Sequence, residues 1–491
     1  MKALISVYDK SGLDKFASVL EEVGYELIST GGTYDYLKAA GFHPEKLSNY
    51  CESPELLGGR VKSLHPVVFA GILARADQED ELVSKDISRI DLVCCNLYPF
   101  SEIQKNSSDE ETILENIDIG GVALLRAASK NYKKVISVPS PKLYSSIADM
   151  LLKNNLDETA RRRLAAETFR IIFQYDASIA AYLFGDRENF LSISEEKNTS
   201  LRYGENPHQK AALYGNPPYK QLAGKKELSF NNYQDMDAAV RLVNSFEEPA
   251  SAVIKHAVAC GAAVSKDIKG AFIDALSGDP ISAFGGIIGF NRICDASLAS
   301  EVIKTFFEVV AGPGFTSEAL EILKQKPNLR VIQTFPLEVQ ADIRQITGGF
   351  LLQEPDNFVD ENWKVVTEKH PSEEEMKDLK IAWKIAGFLK SNAIALVSDG
   401  KTVGLGSGQT SRVDSVRIAA DSMRRRAGSE KRIVMASDGF FPFPDGVEEA
   451  AAAGVSAVVQ PGGSKNDDTV IDAANRLGLS MVITGRRHFL H

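Results

Sequence analysis

No run of Lys and Arg in this chain stands apart from balancing carboxylates. Arg424-Arg425-Arg426 comes closest, and it reads as the solvated end of a helix. With a net charge of −10 there is no basic stripe, which excludes nucleic acid as a partner. Anionic ligands must then be held locally, by a few cations and backbone N–H groups. No apolar stretch approaches the ~20 residues of a membrane span, so no membrane partner is expected. Cysteine is scarce: Cys51, Cys94, Cys95, Cys260 and Cys294 form no ladder of spacings. An odd count without a secretory signal points to reduced thiols and a cytoplasmic location. The opening Met1-Lys2-Ala3-Leu4-Ile5-Ser6-Val7-Tyr8-Asp9 reaches an acid after a short apolar run, as a buried first strand does and a signal peptide does not. Cofactor signatures are missing too. There is no G-x-x-x-x-G-K-[ST], and Gly404-Leu405-Gly406-Ser407-Gly408-Gln409 breaks G-x-G-x-x-G at its last position. His43-Pro44-Glu45 matches the H-x-E of zinc deaminases, but no P-C-x-x-C follows, so no catalytic metal is expected.

What is present fits a globular protein: 44% apolar and 25% charged residues. A chain of 491 residues exceeds what one core serves, so two to four domains are expected. In the first third, short apolar runs at 3–7, 25–28, 92–97 and 135–138 alternate with helical patterns at 13–23 and 161–184, which predicts βα units on a mainly parallel sheet. Periodicity fails around 186–200, where the major boundary is placed. Two α/β lobes follow, joined by the charged stretch 369–380, which also starts a helix running towards Asn392. Strands are expected in the last lobe at 394–397, 432–435, 457–459 and 481–483. The division is thus 1–190, 200–365 and 366–491. No short-period repeat or low-complexity segment is visible.

Several segments carry candidate chemistry. Ser29-Thr30-Gly31-Gly32-Thr33 follows a strand and opens a helix, where amide N–H groups and the positive dipole end hold a phosphate. Lys10 stands where it could close over the same anion, and a plain strand-to-helix turn is the alternative. In Gly58-Gly59-Arg60-Val61-Lys62-Ser63, two cations two residues apart point to one side of an extended segment, or else merely to solvent. Asn96-Leu97-Tyr98-Pro99-Phe100 lies at a strand end, where ligands of α/β sheets sit, and Asp118-Ile119-Gly120-Gly121 and Ser129-Lys130-Asn131 follow. Lys62, Tyr98, Asp118 and Lys130 together supply donors and an acid/base pair. Further on, Arg202-Tyr203-Gly204-Glu205-Asn206 mixes a cation with an aromatic ring. Lys255-His256 ends an apolar run, with histidine the best general-base type near neutral pH; structural packing of His256 is the alternative.

Taken in order, these segments closely resemble the bifunctional purine-biosynthesis family that is both AICAR transformylase and IMP cyclohydrolase. The resemblance runs nearly end to end, through 58–66, 96–100 (NLYPF), 117–121, 202–209, Lys255-His256, 279–286 (DPISAFGG), 390–394 (KSNAI), 406–414 (GSGQTSRVD), 437–443 (SDGFFPF), 460–464 (QPGGS) and Arg487-His488-Phe489. It implies a methylglyoxal-synthase-like N-terminal domain followed by two cytidine-deaminase-like α/β lobes without zinc. It also implies transfer of formyl from 10-formyltetrahydrofolate, a folate co-substrate, to AICAR, then closure of formyl-AICAR to IMP with loss of water. A homodimer with shared transformylase sites is implied as well. Carried over by residue, Ser6, Lys10, Thr30, Gly31, Gly32 and Thr33 would hold phosphate, and Arg60 and Lys62 would meet the nucleotide. Tyr98, Asp118 and Lys130 would assist ring closure. Arg202 and Tyr203 would bind AICAR, Gly285 would be a further substrate-binding residue, Lys255 and His256 would run the transfer, and Asn392 would hold the reacting groups. Arg412 and Arg487 would face the nucleotide, Asp438 the folate, and Glu308 falls where relatives place an acid near the nucleotide.

The sequence departs from the family pattern at Val258-Ala259-Cys260-Gly261, which lacks a proline common in that loop, and at Tyr8, where a smaller serine is common. Two rival readings reduce the N-terminal domain to a phosphometabolite sensor, or the chain to a non-catalytic nucleotide binder. Lys62, Tyr98, Asp118 and Lys130 argue against the first, and an intact Lys255-His256 against the second.

Overall fold

The computed structural model describes residues 1–52, 57, 61, 63–185, 191–336, 341–358, 363–426 and 432–491. Two compact units, Met1–Glu195 and Glu196–His491, divide the chain.

In the first unit, β1 (Lys2–Val7), β2 (Glu26–Ser29), β3 (Glu45–Lys46), β4 (Leu92–Asn96) and β5 (Ile136–Val138) form a wholly parallel sheet in the order β3-β2-β1-β4-β5. Alternation along β1 decides which face each residue serves. Ala3, Ile5 and Val7 join Leu13 and Phe16 of the helix Leu13–Glu22 and Tyr144 of the helix Tyr144–Leu152. Leu4 joins Leu124 and Leu125 of the helix Gly120–Lys130 on the opposite face. Phe16 and Tyr144 stack at 4.7 Å. Strand order reverses between β1 and β4, and in such sheets the crevice beyond the carboxyl ends at that switch point is where ligands bind.

The second unit carries β6 (Lys197–Leu201) and β7 (Ala211–Tyr214) as a small hairpin, then one continuous sheet. Its first half is β8 (Tyr219–Ala223), β9 (Ala250–Lys255), β10 (Val258–Val264), β11 (Ile287–Phe290), β12 (Val309–Gly312) and β13 (Arg330–Thr334). After a hairpin of β14 (Asp342–Ile346) and β15 (Gly349–Gln353), its second half is β16 (Lys364–Val365), β17 (Ile394–Ser398), β18 (Lys401–Gly406), β19 (Ile433–Ser437), β20 (Val455–Gln460) and β21 (Ser480–Ile483). The order is β16-β21-β20-β19-β17-β18-β10-β9-β11-β12-β13-β8, with β18 and β10 antiparallel at the centre.

Read outward from that centre, the halves are the same. Each has an antiparallel hairpin, then three mutually parallel strands, then an antiparallel edge strand that comes first in sequence. The chain therefore folds one motif twice, a repeat too long and too diverged to read as sequence periodicity. β16 pairs with β21, so Lys364 and Val365 belong to the second half rather than to a lobe ending at 365. A single apolar cluster crosses the junction, joining Met236, Val240 and Ile254 to Leu379, Trp383 and Val434.

Candidate active sites

At the carboxyl end of the parallel sheet lies a cleft of about 650 Å³ lined by Ser6, Tyr8, Lys10, Thr30, Gly32, Thr33, Ser63, Asn96, Tyr98, Asp118, Gly120 and Gly121, among others. One end is built from hydroxyls and a helix start. The helix Gly31–Ala39 begins here, and Gly31 has φ of 42°, a conformation that L side chains rarely adopt. Thr30 makes no side-chain cap; its Oγ1 instead lies 2.9 Å from Ser6 Oγ. Thr33 Oγ1 accepts from Val7 N and donates to Val7 O, both at 3.0 Å, which pins the helix to β1. Thr33 N already donates to Thr30 O at 3.1 Å, so the amides ahead of it, of Gly31 and Gly32, are the ones at the helix start suited to an anion. Lys10 Nζ donates to Tyr8 O at 3.3 Å at the same end.

The other end carries acid/base groups. Asp118 Oδ1 accepts from Gly121 N at 2.7 Å, and the amide of Asp118 donates to Tyr175 Oη at 2.7 Å. A Cβ at Gly120 would strike Ser63 Oγ, and one at Gly121 would strike the Asp118 carboxylate, so a side chain at either position would displace a group of the cleft. Burial, with the Asp118 charge adding to it, pushes the Tyr98 phenol above its ordinary pKa and keeps it protonated as a donor. Asn96 Oδ1 accepts from Tyr8 N (2.7 Å) and Asp9 N (2.9 Å), and its Nδ2 donates to Asp9 O (2.8 Å). Sequence reading gave Asn96 and Ser63 no site role, though both lie inside motifs it singled out. Lys130 does not line the cleft: it closes the helix whose first residue, Gly120, does, about 15 Å away along the axis. Arg60 and Lys62 lie outside the described residues.

In the second unit a cleft of about 620 Å³ is lined by Glu205, Asp235, Arg241, His256, Ala257, Asp342, Asp356, Lys390 and Phe489, among others. His256 and Ala257 are the two-residue turn of the β9–β10 hairpin, each with φ of 57°. Both turn amides donate to Asp235 on the helix Phe230–Asn244: His256 N to Oδ2 at 3.3 Å and Ala257 N to Oδ1 at 2.6 Å. Burial raises the Asp235 pKa, against these two amide bonds, which lower it. Lys255, one residue before the turn, points elsewhere. Its Nζ donates to Phe284 O at 3.0 Å, beside Gly285, whose φ is 76°.

Arg412, Asn392 and Asp438 form one internal network. Arg412 pairs with Asp438, donates to Ser437 Oγ at 2.7 Å and, through its second terminal nitrogen, to Asn392 Oδ1 at 2.7 Å. Asn392 Nδ2 donates to Gln409 O at 3.0 Å. Asp438 is wholly buried, its carboxylate also accepting from Ser391 Oγ (2.5 Å) and Ala393 N (3.0 Å). Asp438 is thus tied to Arg412 on one side and to the 391–393 segment on the other. The Arg412 and Arg487 guanidinium groups lie 6.0 and 4.6 Å from the Phe489 ring, which lines the cleft. Arg202 donates to Tyr203 Oη at 2.7 Å and stacks on its ring at 4.6 Å, outside the His256 cleft. Glu308 accepts from Asn232 Nδ2 at 2.9 Å and meets Arg330 at 3.4 Å. Among the described residues, no group of three His, Cys, Asp or Glu is placed to hold a metal, and no helix is long and apolar enough to cross a membrane.

A family model described as AICARFT/IMPCHase bienzyme matches residues 128–422, and a model of the MGS-like domain matches residues 12–123. The protein named bifunctional purine biosynthesis protein PurH of Thermoanaerobacter sp. (strain X514) is 46% identical over 510 residues, covering 100% of this chain and 99% of its own. Proteins of the same name from Aquifex aeolicus and Clostridium beijerinckii are 43% and 44% identical, each covering 100% of this chain and 100% and 99% of their own. The chain belongs to the AICARFT/IMPCHase bienzyme family, with an MGS-like N-terminal domain.

Proposed function

We propose that the chain transfers formyl from 10-formyltetrahydrofolate to AICAR and closes formyl-AICAR to IMP, each step in its own unit and neither through a metal. The observation that carries this reading is the pairing of two unlike clefts. One has an anion-holding helix start facing an acid/base end, and the other has a histidine at a hairpin turn.

In transfer, the AICAR amine is a poor nucleophile because its lone pair delocalises into the ring and the adjacent carboxamide. His256 takes its proton as the N–C bond to the formyl carbon forms, and Lys255 supplies a proton to the departing folate nitrogen. In closure, the carboxamide nitrogen attacks the formyl carbon and the formyl oxygen leaves as water. Tyr98, kept protonated by burial, donates towards that oxygen, and Asp118 relays the carboxamide proton. Lys62 completes the cyclohydrolase set, with Lys130 acting from the far end of the helix Gly120–Lys130 rather than within the cleft. Asn392, Arg412 and Asp438 act in transfer as one positioning network that supports Phe489.

Lys255, Gly285, Arg202 and Tyr203 stand outside the His256 cleft of one chain, and Ile281 and Phe284 beside them are 87% and 59% exposed. This supports a homodimer whose transformylase sites are completed by a second copy. The lobes are cytidine-deaminase-like in this reading, and the enzyme works in the cytoplasm. The test is incubation with AICAR and 10-formyltetrahydrofolate, with and without chelator. IMP should form equally in both. Formyl-AICAR accumulating without IMP would leave only the transferase, and loss of activity restored by zinc would overturn the metal-free mechanism.

A further inference from the structure

The twofold motif of the second unit allows its halves to be compared position by position. Ser229 caps the helix Phe230–Asn244 in a reciprocal capping box with Asn232; Ser372 caps the helix Glu373–Gly387 in the same box with Glu375. Asp235 on the first helix accepts both amides of the His256-Ala257 turn. Asp378 on the second accepts both amides of the Asp399-Gly400 turn, which joins β17 to β18, at 3.0 and 2.8 Å. Ser372, Glu375, Asp378, Asp399 and Gly400 each stand 143 positions after Ser229, Asn232, Asp235, His256 and Ala257 (372 minus 229, 375 minus 232, and so on).

The device is therefore one device used twice, and the copies differ where it matters. Asp-Gly is the favoured pair for a two-residue hairpin turn with positive φ at both positions. Asp399 (φ 47°) and Gly400 (φ 79°) adopt it with little resistance. His256 and Ala257 adopt it against their intrinsic preference, since each has a Cβ that disfavours this backbone region. A carboxylate taking both turn amides holds a conformation the local sequence resists, and backbone strain of this kind concentrates where function requires it. The second half also has Arg432 against Asp378 and Asp399, at 3.4 and 2.6 Å. Val434 pairs with Val397 as Ile287 pairs with Ile254, an offset of 147 on this strand (434 minus 287), so the equivalent position in the first half is Gly285 (432 minus 147), which has no side chain to offer.

We propose that Asp235 is a positioning residue for formyl transfer: by clamping the two amides of the His256-Ala257 turn it aims the His256 imidazole into the cleft. The proposal rests on the reading of His256 as the transfer base. Asp235 touches no reacting atom and acts only through the turn.

The test uses the full chain carrying Asp235→Ala, Asp235→Asn, Ala257→Gly, or Asp235→Ala with Ala257→Gly, with His256→Gln and Asp378→Asn alongside. Deuterium exchange of the 253–260 peptide reports the clamp, and kcat and KM for both half-reactions report its use. Asp235→Ala should speed exchange in that peptide and lower the kcat of transfer on the order of 10- to 100-fold, as small misplacements of a catalytic group do. The KM for AICAR should shift less, and cyclisation should be unchanged. Asp235→Asn, whose one amide oxygen replaces two, should fall between. Adding Ala257→Gly should recover several-fold of the transfer rate, because glycine holds the turn unaided. A carboxylate needed only for folding would show no such rescue. Asp378→Asn should leave transfer kcat within twofold. Unchanged exchange, unchanged transfer or absence of rescue in soluble, folded Asp235→Ala protein would each overturn the proposal. Unchanged transfer in His256→Gln as well would place the failure in the base assignment, whereas loss there with full activity in Asp235→Ala would place it in Asp235.

Discussion

Inside the N-terminal cleft the rings of Tyr8 and Tyr98 meet edge to face, with centroids 5.5 Å apart and planes at 89°. Asn96 fixes the backbone of Tyr8 just past the end of β1, and the half-exposed ring forms a wall of the cleft against Tyr98. An edge-to-face pair contributes about 0.5–1.5 kcal/mol beyond burial, enough to hold the phenol of Tyr98 in one orientation.

Tyr8→Ala should therefore raise the KM for formyl-AICAR and lower cyclisation kcat/KM by up to about tenfold, the kinetic equivalent of that pair. Tyr8→Phe keeps the ring and should stay within twofold of the parent. Steady-state cyclisation kinetics on the full chain decide this, and a Tyr8→Ala enzyme with parent kinetics would remove the wall from the mechanism.

The Arg412–Asp438 pair yields a stability prediction. Both partners are buried, and the carboxylate also meets Ser391 Oγ and Ala393 N. Removing one member of a buried pair strands the other charge, at a cost of about 3–5 kcal/mol. Asp438→Ala should lower the unfolding free energy of the second unit by that order and abolish transfer, while cyclisation survives below the new, lower midpoint. Denaturant unfolding followed alongside both activities is the measurement. A stable Asp438→Ala enzyme defective only in folate affinity would return Asp438 to the direct role the family resemblance implied.

Much of this was legible in the sequence, for identifiable reasons. β1, β4, β17 and β19 are near-continuous apolar runs of buried strands, and the helix Leu13–Glu22 shows a clean amphipathic period, so their positions follow from pattern alone. Lys10, Thr30, Thr33, Tyr98 and Asp118 were singled out by motif and Ser6 by the family resemblance, and the fold brings them to one cleft. The hairpin at His256 was not legible, because its turn lacks the Asn-Gly or Asp-Gly signal that marks such turns. Asp235 looked like any solvated acid on a helix, since its partners are backbone amides 21 and 22 residues on. Burial of Asp438 depends on packing between β19, the 390–393 segment and Arg412, which no local pattern encodes.

Alkaline pH should destabilise the chain. Burial pushes the Cys94 thiol up to about 12, and the phenols of Tyr25 and Tyr175 likewise to about 12. In the unfolded chain such thiols and phenols ionise near 8.5 and 10. Between those values and the folded ones, the unfolded state releases protons that the folded state keeps. Stability is thus fully present below about pH 8.5 and declines as pH rises towards 12. For the fully buried Cys94 the slope is about 1.4 kcal/mol per pH unit. Denaturant unfolding at pH 8 and pH 10 should show the loss, and Cys94→Ala should reduce it by that thiol's share, since burial raises Cys51, Cys95, Cys260 and Cys294 too; a pH-independent midpoint would contradict the assignment.

His256→Ala should lower formyl transfer by about 10²–10⁴-fold, the usual contribution of a positioned general base, and spare cyclisation in the other unit. The contrast that matters is with packing. His256 is exposed and sits at the tip of a hairpin whose geometry is held by backbone amides, so the imidazole itself contributes little to the fold. His256→Asn should then leave the melting temperature nearly unchanged, since asparagine tolerates positive φ, while transfer falls as far as in His256→Ala. A purely structural histidine predicts the reverse, with most activity kept and stability lost. Measuring kcat for both half-reactions beside thermal stability separates the two. A stable His256→Asn enzyme with near-parent transfer would end the general-base assignment.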